Sequence, residues 1–258
     1  MANTVYENSV IEAKAKNLLS TSVNARSLMT IDEDLVENAG MKKTINTYTY
    51  TGTAEEVANG AGNTSRGQVA FVGQDYEVKM VQQVFDYTDE DFMKDNEIVD
   101  KGIKGATQVM ANKMTSDFVK ELGKATLSQQ APAFGYDVIV DAISELNIED
   151  ESGLFIVIPN AWKADLRKDA DYKAARMGEV VYNGQVGAIA GIPVIATKAL
   201  DNAAYVMSKE AIKLFMKKDV EVEPDRDADK RLNSYFLRMA YLVALVDATQ
   251  ICKITIAA

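Results

Sequence analysis

Histidine is absent from this chain, and cysteine occurs once, as Cys252. Histidine is the usual general base near neutral pH and the commonest metal ligand, so its absence removes both roles. With a single thiol as well, no Cys/His zinc site and no Ser-His-Asp or Cys-His pair can be assembled within the chain. The lone cysteine also forbids an intrachain disulfide, so nothing points to an oxidising compartment. A long basic run is missing too, and the net charge is −10. Sequence-specific reading of DNA or RNA needs a cationic face for the phosphates, which argues against that class while leaving room for a local basic patch. The longest unbroken apolar run, 239–246, is far short of the ~18–20 residues of a membrane span. The opening Met1-Ala2-Asn3-Thr4 carries no basic-then-apolar signal segment. The expectation is a soluble intracellular protein. Carboxylates are plentiful, so a carboxylate-only site remains open, but they are dispersed rather than convergent.

What the chain does contain is enough apolar residue, 47% of 258, for one large domain or two smaller ones with a real core. The spacing predicts a helix over 89–124. Val99, Ile103, Ala106, Met110, Met114, Phe118 and Leu122 recur at steps of three and four, which places them on one face. Thr88 and Asp91 are spaced to cap its start. Asp89, Glu90 and Asp91 crowd the positive end of the helix dipole, and Lys120 and Lys124 sit near the negative end. At ~1.5 Å per residue the helix would run about 50 Å, the length of a strut. Gly102 and Gly105 weaken it and would permit a bend.

Before that helix, residues 4–28 are sparsely apolar, with Ile11, Ala15, Leu18 and Val23 roughly on one helical face. This reads as a partly helical arm that must lie on its own body or on a neighbouring subunit. Thr30 with Glu33 reads as a capping box for a helix over 31–39 ended by Gly40. From Lys42 the period changes to two, with Ile45, Thr47 and Thr49 opposed to Thr44, Tyr48 and Tyr50. A second extended stretch, 68–85, alternates Tyr76, Val78, Met80 and Val84 with Glu77, Lys79, Val81 and Phe85. The two read as a long ribbon with a loose tip over 51–67. Gly52, Gly60, Gly62 and Gly67 match neither the P-loop nor the dinucleotide fingerprint, so the tip is not read as a phosphate cradle. A ribbon of this length is marginal alone and needs a partner surface.

After the helix, a break over 131–135 precedes an amphipathic helix over 136–146, with Val138, Ile139, Ala142, Ile143 and Leu146 on its apolar side. An apolar strand over 154–158 is stopped by Pro159, and Asn160 is placed to cap a helix over 161–167 that carries Trp162. A Gly-punctuated loop over 177–186, a turn at Gly191-Ile192-Pro193-Val194 into a strand, and a strand over 205–208 follow. A short helix is expected from Ser208 or Lys209 to Lys217 and Lys218. Val220 and Val222 lead to Pro224 and a charged link, 225–231, whose acids are offset by Arg226, Lys230 and Arg231; it reads as a solvated, self-paired run rather than a metal loop. A strand over 232–246, apolar on both faces beyond Arg238, a turn over 247–250 and a closing strand over 251–256 complete the chain.

The stretch Gly184-Gln185-Val186-Gly187-Ala188-Ile189-Ala190-Gly191-Ile192-Pro193-Val194-Ile195 resembles a segment of tailed-phage major capsid proteins with the HK97 fold. It follows Leu154-Phe155-Ile156-Val157-Ile158-Pro159-Asn160-Ala161-Trp162, which resembles the strand and helix before it in that family, and 235–256 resembles the family's closing strands. The resemblance implies an α+β fold with an N-terminal arm at 1–40, an extended β-ribbon loop at 41–87, a peripheral domain with the spine helix at 88–133, an α/β axial domain at 134–223 and a return to the peripheral domain at 224–258. It implies a shell subunit forming hexamers and pentamers around double-stranded DNA held without sequence-specific contact, in a virion assembled in the bacterial cytoplasm, with no membrane. Many members carry a long N-terminal scaffolding segment, and none is expected here, so a separate scaffolding protein and a portal are expected partners. Some members crosslink a Lys to an Asn. Lys42, Lys43 and Lys79 lie on the ribbon, but no motif identifies a reactive pair, and no catalytic, cofactor-binding or metal residue is assigned. The alternatives are an encapsulin-like compartment enclosing a cargo enzyme and, from another class, a carboxylate-dependent hydrolase or nucleotide-binding enzyme.

Overall fold

Period-two and period-3.6 segments alternate along the chain, and most of the folded elements follow them. The computed structural model describes residues 8–21, 25–37, 40–170, 172 and 187–257. Helix α1 (Asn8–Thr21), a 3-10 turn (Ala25–Leu28), strand β1 (Thr30–Asp32) and helix α2 (Asp34–Glu37) come first. Strands β2 (Lys42–Thr51) and β3 (Gln68–Glu77) precede β4 (Lys79–Thr88), α3 (Asp89–Lys94) and α4 (Ile98–Leu122). Next are β5 (Leu127–Ala131), α5 (Tyr136–Leu146), β6 (Leu154–Pro159) and α6 (Lys163–Lys168). The remainder is strand: β7 (Ala188–Ile189), β8 (Ile192–Thr197), β9 (Ala203–Ser208), β10 (Ile212–Asp227), β11 (Leu232–Leu245) and β12 (Ile251–Ile256).

The strands form three sheets. One has the order β1-β10-β11-β4, another β5-β12-β9-β6-β8-β7, and β2-β3 stand as a separate pair. In the six-stranded sheet β12 runs parallel to β5 and β6 parallel to β8, while β9 is antiparallel to both β12 and β6. The stripe of α4 is buried against the four-stranded sheet: Ile103, Met110, Met114, Phe118 and Leu122 join Leu214, Met216, Val222, Leu237, Met239 and Val243 in one core. A second core forms where α5 covers the six-stranded sheet, with Ile139, Ala142 and Ile143 on Ile156, Val206 and Ile254. The first turn of α5 is fixed from a distance. Asp169 accepts the Tyr136 N–H at 2.9 Å, and Gly135 leaves room for that carboxylate.

The expected single helix over 89–124 is two. The capping box is formed, with Thr88 Oγ1 accepting the Asp91 N–H at 3.2 Å and the Asp91 carboxylate accepting the Thr88 N–H at 3.4 Å. The helix then stops at Asp95, which is extended at φ −145° and whose side chain accepts the Glu97 N–H at 2.9 Å. A short acid that bonds a nearby N–H offers the backbone an alternative to the helix, and α4 restarts at Ile98. The glycines do not mark the break. Gly102 instead faces the Phe85 ring, which occupies the place of a side chain.

Other expectations are corrected. Among the described residues of 31–39 the chain first forms β1, parallel to β10 through Thr30↔Lys213 and Asp32↔Phe215, and only 34–37 is helical. The helix expected from Ser208 or Lys209 to Lys217 and Lys218 is, from Ile212, the start of β10, whose Leu214 and Met216 enter the main core while Phe215 enters a third cluster on the opposite face. Burial on both faces erases the alternation that marks a strand. Asn160 is not the cap of α6; it opens a 3-10 turn, Asn160–Trp162, that runs into α6 with Trp162 at the cap position. The extended stretch over 68–85 divides at Val78, so that β3 pairs with β2 and β4 with β11. The charges of 225–231 pair across elements as well as among themselves: Arg226 with Asp89 at 2.8 Å, Arg231 with Glu90 at 2.8 Å and Lys230 with Asp227 at 3.1 Å. The arm lies on its own chain, with Ile11, Ala15 and Leu19 buried in the main core and Lys14 paired to Asp100 at 2.6 Å. The expected loop over 177–186, the capsid-like residues Gly184, Gln185 and Val186, and the arm residues 4–7 and Val23 lie outside the described residues, as does Ala39.

Candidate assembly surfaces

The β2–β3 ribbon is in register from Lys42 opposite Glu77 to Thr51 opposite Gln68. Within these two strands only Ile45 and Tyr76 are buried, both near the root. Alternation puts Tyr48, Tyr50, Val69 and Phe71 on one face, with Tyr48 opposite Phe71 and their rings 6.3 Å apart. Tyr48 is 66%, Tyr50 68% and Phe71 68% exposed, a concentration of apolar surface that nothing among the described residues covers. The Tyr50 ring lies over Gly67 and Gly52, where any side chain would collide with it. Beyond the strands, the tip is organised by Glu55. Its carboxylate accepts the Thr64 N–H, the Thr64 hydroxyl at 2.7 Å and the Ser65 N–H at 3.2 Å. These bonds hold the carboxyl below its usual range, first through the Thr64 hydroxyl. The tip expected to be loose therefore has an internal hub, signalled only by an acid set among Gly, Thr and Ser residues.

At the root, the last turns of α4 fasten the sheet. Asp117 accepts the Tyr241 hydroxyl at 2.9 Å and pairs with Lys113 at 2.5 Å. Glu121 accepts the Leu245 N–H at 3.3 Å and pairs with Lys124 at 2.8 Å. Burial, then the Asp117 charge, pushes the Tyr241 phenol well above its usual range. Tyr76 donates to the Leu245 carbonyl at 3.3 Å, and the Lys124 ammonium sits 5.1 Å from its ring centre.

Little here supports bond-making chemistry. Among the described residues no three Asp, Glu, Cys or His side chains are grouped to hold a metal ion, and no helix is long and apolar enough to cross a membrane. Cys252 is fully buried, which pushes its thiol up to about 11 and keeps it protonated and unreactive. A cleft of about 810 Å³ is open and of mixed charge, with Arg26, Lys209, Asp150 and Glu210 in its walls. Of the ribbon lysines, Lys42 pairs with Glu77 at 3.4 Å, and Lys43 pairs with Asp34 at 3.5 Å and lies over the Phe215 ring. Among the described residues the large unsatisfied feature is thus a projecting surface.

Comparison with solved structures places this arrangement. A capsid structure of cyanophage P-SCSP1u superposes with a TM-score of 0.69 at 10% identity, covering 89% of this chain and 86% of the other. The chain has the HK97 capsid fold. In the terms of that fold, α4 is the spine helix and the β2–β3 ribbon is the extended loop. A virus-like particle from Pyrococcus furiosus is similar with a TM-score of 0.68 at 9% identity, over 97% of this chain and 100% of that one. In sequence, the major capsid protein of Staphylococcus phage phiMR11 is 23% identical over 243 residues, 92% of this chain and 88% of that protein. No family model matches the sequence.

Proposed function

We propose that the chain is the structural subunit of an icosahedral shell enclosing the double-stranded DNA of a tailed bacteriophage or prophage. The observation that carries this reading is the ribbon, an HK97 extended loop held to its own chain at the root and bare along an aromatic face. A closed shell repeats each contact at every subunit, so modest contacts suffice. The sequence likeness to a phage major capsid protein over most of both chains supports the same reading. The role is structural, and the subunit is a virion component.

In this reading 1–40 is the arm and 41–87 the extended loop. The peripheral domain is built from 88–133 and 224–258, and 134–223 is the axial domain. Hexamers and pentamers form in the bacterial cytoplasm with a separate scaffolding protein and a portal. The net charge of −10 suits DNA that must stay mobile inside the shell rather than be bound by a cationic liner.

Deletion of residues 55–65 tests the carrying observation. The deleted chain is expected to remain a folded monomer by circular dichroism while electron micrographs show few closed particles. Wild-type particle yield from the deletion removes the tip as an assembly contact, and failure of the parent chain to form closed particles, alone or with a scaffolding protein, overturns the reading. The alternative, a compartment enclosing a cargo enzyme, is less favoured: the Pyrococcus furiosus virus-like particle shares the fold at 9% identity, whereas the likeness in sequence is to a phage major capsid protein. Uniform closed particles from this chain expressed alone favour that compartment. Particles that need a scaffolding protein and carry a portal favour the phage shell.

A further inference from the structure

The ribbon meets the body through a small patch. Of its two strands only Ile45 and Tyr76 are buried, and they pack with Leu35, Val78, Phe215, Ala240, Leu242 and Ala244 in a cluster separate from both main cores. Val78 is the single residue between β3 and β4, and its N–H is bonded back to the Met41 carbonyl at 2.8 Å, closing the root. Past the root, no residue of either strand is buried among the described residues. At about 3.4 Å per residue each ten-residue strand extends about 34 Å, so a 10° change at the root displaces the far end by about 6 Å. Small contacts at the root therefore decide where the far end lies.

We infer that Tyr76 is the positioning residue through which the end of the spine helix sets the direction of the ribbon. Its hydroxyl is tied to the Leu245 carbonyl at the end of β11, and its ring lies under the Lys124 ammonium. Lys124 is itself held by Glu121, in the last turn of α4, which also accepts the Leu245 N–H. Tyr76, Leu245, Glu121 and Lys124 thus close a ring of contacts joining ribbon, sheet and spine. Lys124 does its part from outside the ribbon. Burial and the Glu121 charge push the Tyr76 phenol up to about 12, so it stays a hydroxyl donor at neutral pH.

Spin labels on Thr49→Cys and Lys104→Cys report the angle by electron–electron distance measurement on the unassembled subunit; Cys252 is buried and takes no label. The parent is expected to give one narrow distance. Tyr76→Leu and Lys124→Met are each expected to broaden the distribution at least twofold. Tyr76→Phe, which keeps the ring under the ammonium, falls between, and Lys124→Arg restores the narrow distance. A melting temperature measured on each variant separates loss of packing from loss of direction. The inference is overturned if Lys124→Met leaves the distance unchanged, or if Tyr76→Leu lowers the melting temperature without broadening it. It is equally overturned if the parent is already broad. The measurement needs no shell, so its failure leaves the proposed function standing, and the reverse also holds.

Discussion

Two glycines three residues apart on α4 should respond to alanine in opposite directions. Gly105 faces open space, with nothing within 4 Å of where a side chain would begin. Replacing glycine by alanine in such a helix position removes backbone freedom from the unfolded chain and gains about 1 kcal/mol. In a chain of this size that raises the melting temperature by about 2–4 °C. Gly102 carries the same propensity gain but faces Phe85, whose ring atoms lie 2.2–2.4 Å from the new Cβ. Ordinary carbon contacts are about 3.5–4.0 Å, so the ring must retreat by more than 1 Å. It has nowhere easy to go, because Phe85 stacks on Tyr87 at 5.7 Å and Tyr87 on Tyr235 at 6.2 Å. Overpacking of this kind costs about 1–3 kcal/mol, which offsets or exceeds the propensity gain. Gly105→Ala should therefore melt higher than the parent and Gly102→Ala at or below it. In a Phe85→Leu background the penalty at Gly102 should shrink, a coupling that a double-mutant cycle measures. A melting curve in which Gly102→Ala gains as much as Gly105→Ala refutes the packing argument.

Three further outcomes follow from the geometry. Phe118→Ala, at a fully buried stripe position, should cost about 3–5 kcal/mol and give insoluble chains, while Lys104→Ala should stay within ~0.5 kcal/mol; Lys113 is a poorer control because it pairs with the carboxylate that holds Tyr241. Ala190 sits at φ +49°, a left-handed conformation that costs an L residue roughly 1–2 kcal/mol, so Ala190→Gly should raise the denaturant midpoint or leave it unchanged, and a lowered midpoint would count against the β7–β8 turn. Tyr76 and Tyr87 are raised to about 12 from 10.0, both mainly by burial, and Tyr241 further. An acid raised on folding binds its proton more tightly when folded, so stability is full below pH 10 and declines as pH climbs towards 12; an unfolding series flat across that window would contradict the burial of these phenols.

The parts of the fold legible in the sequence are those whose environment is one-sided. The α4 stripe and the α5 face each bury one side of a helix, and the 3.6 period showed them directly. β10 was hidden because Leu214 and Phe215 are buried on opposite faces, which leaves no alternation to read. β1 was hidden for another reason. It pairs with residues 213–215 far along the chain, and a hydroxyl and an acid three apart look locally like a helix start. The stop at Asp95 was readable, since Asp-Asn ahead of an apolar run is a capping signal, but the continuous stripe outweighed it. The ribbon was visible as two alternating runs, yet the division at Val78 depends on which strand each half meets. Glu55 and Tyr76 matter through partners that spacing does not reveal.

The place of β12 bears on the timing of folding. It is the latest in the chain of the six strands of its sheet, and it joins β5 to β9, with Ile251 opposite Met207 and Ile256 opposite Ala131. Until synthesis has passed Ile256, β5 has no neighbour in that sheet and the core beneath α5 lacks Ile254. Pairings this distant in sequence form late, and domains close only when their last strand is available. A chain cut short before β12 exposes the edge of β9 and is an invitation to mispairing. The same arrangement makes synthesis of β12 a checkpoint, since products cut short before Ile256 lack the finished sheet.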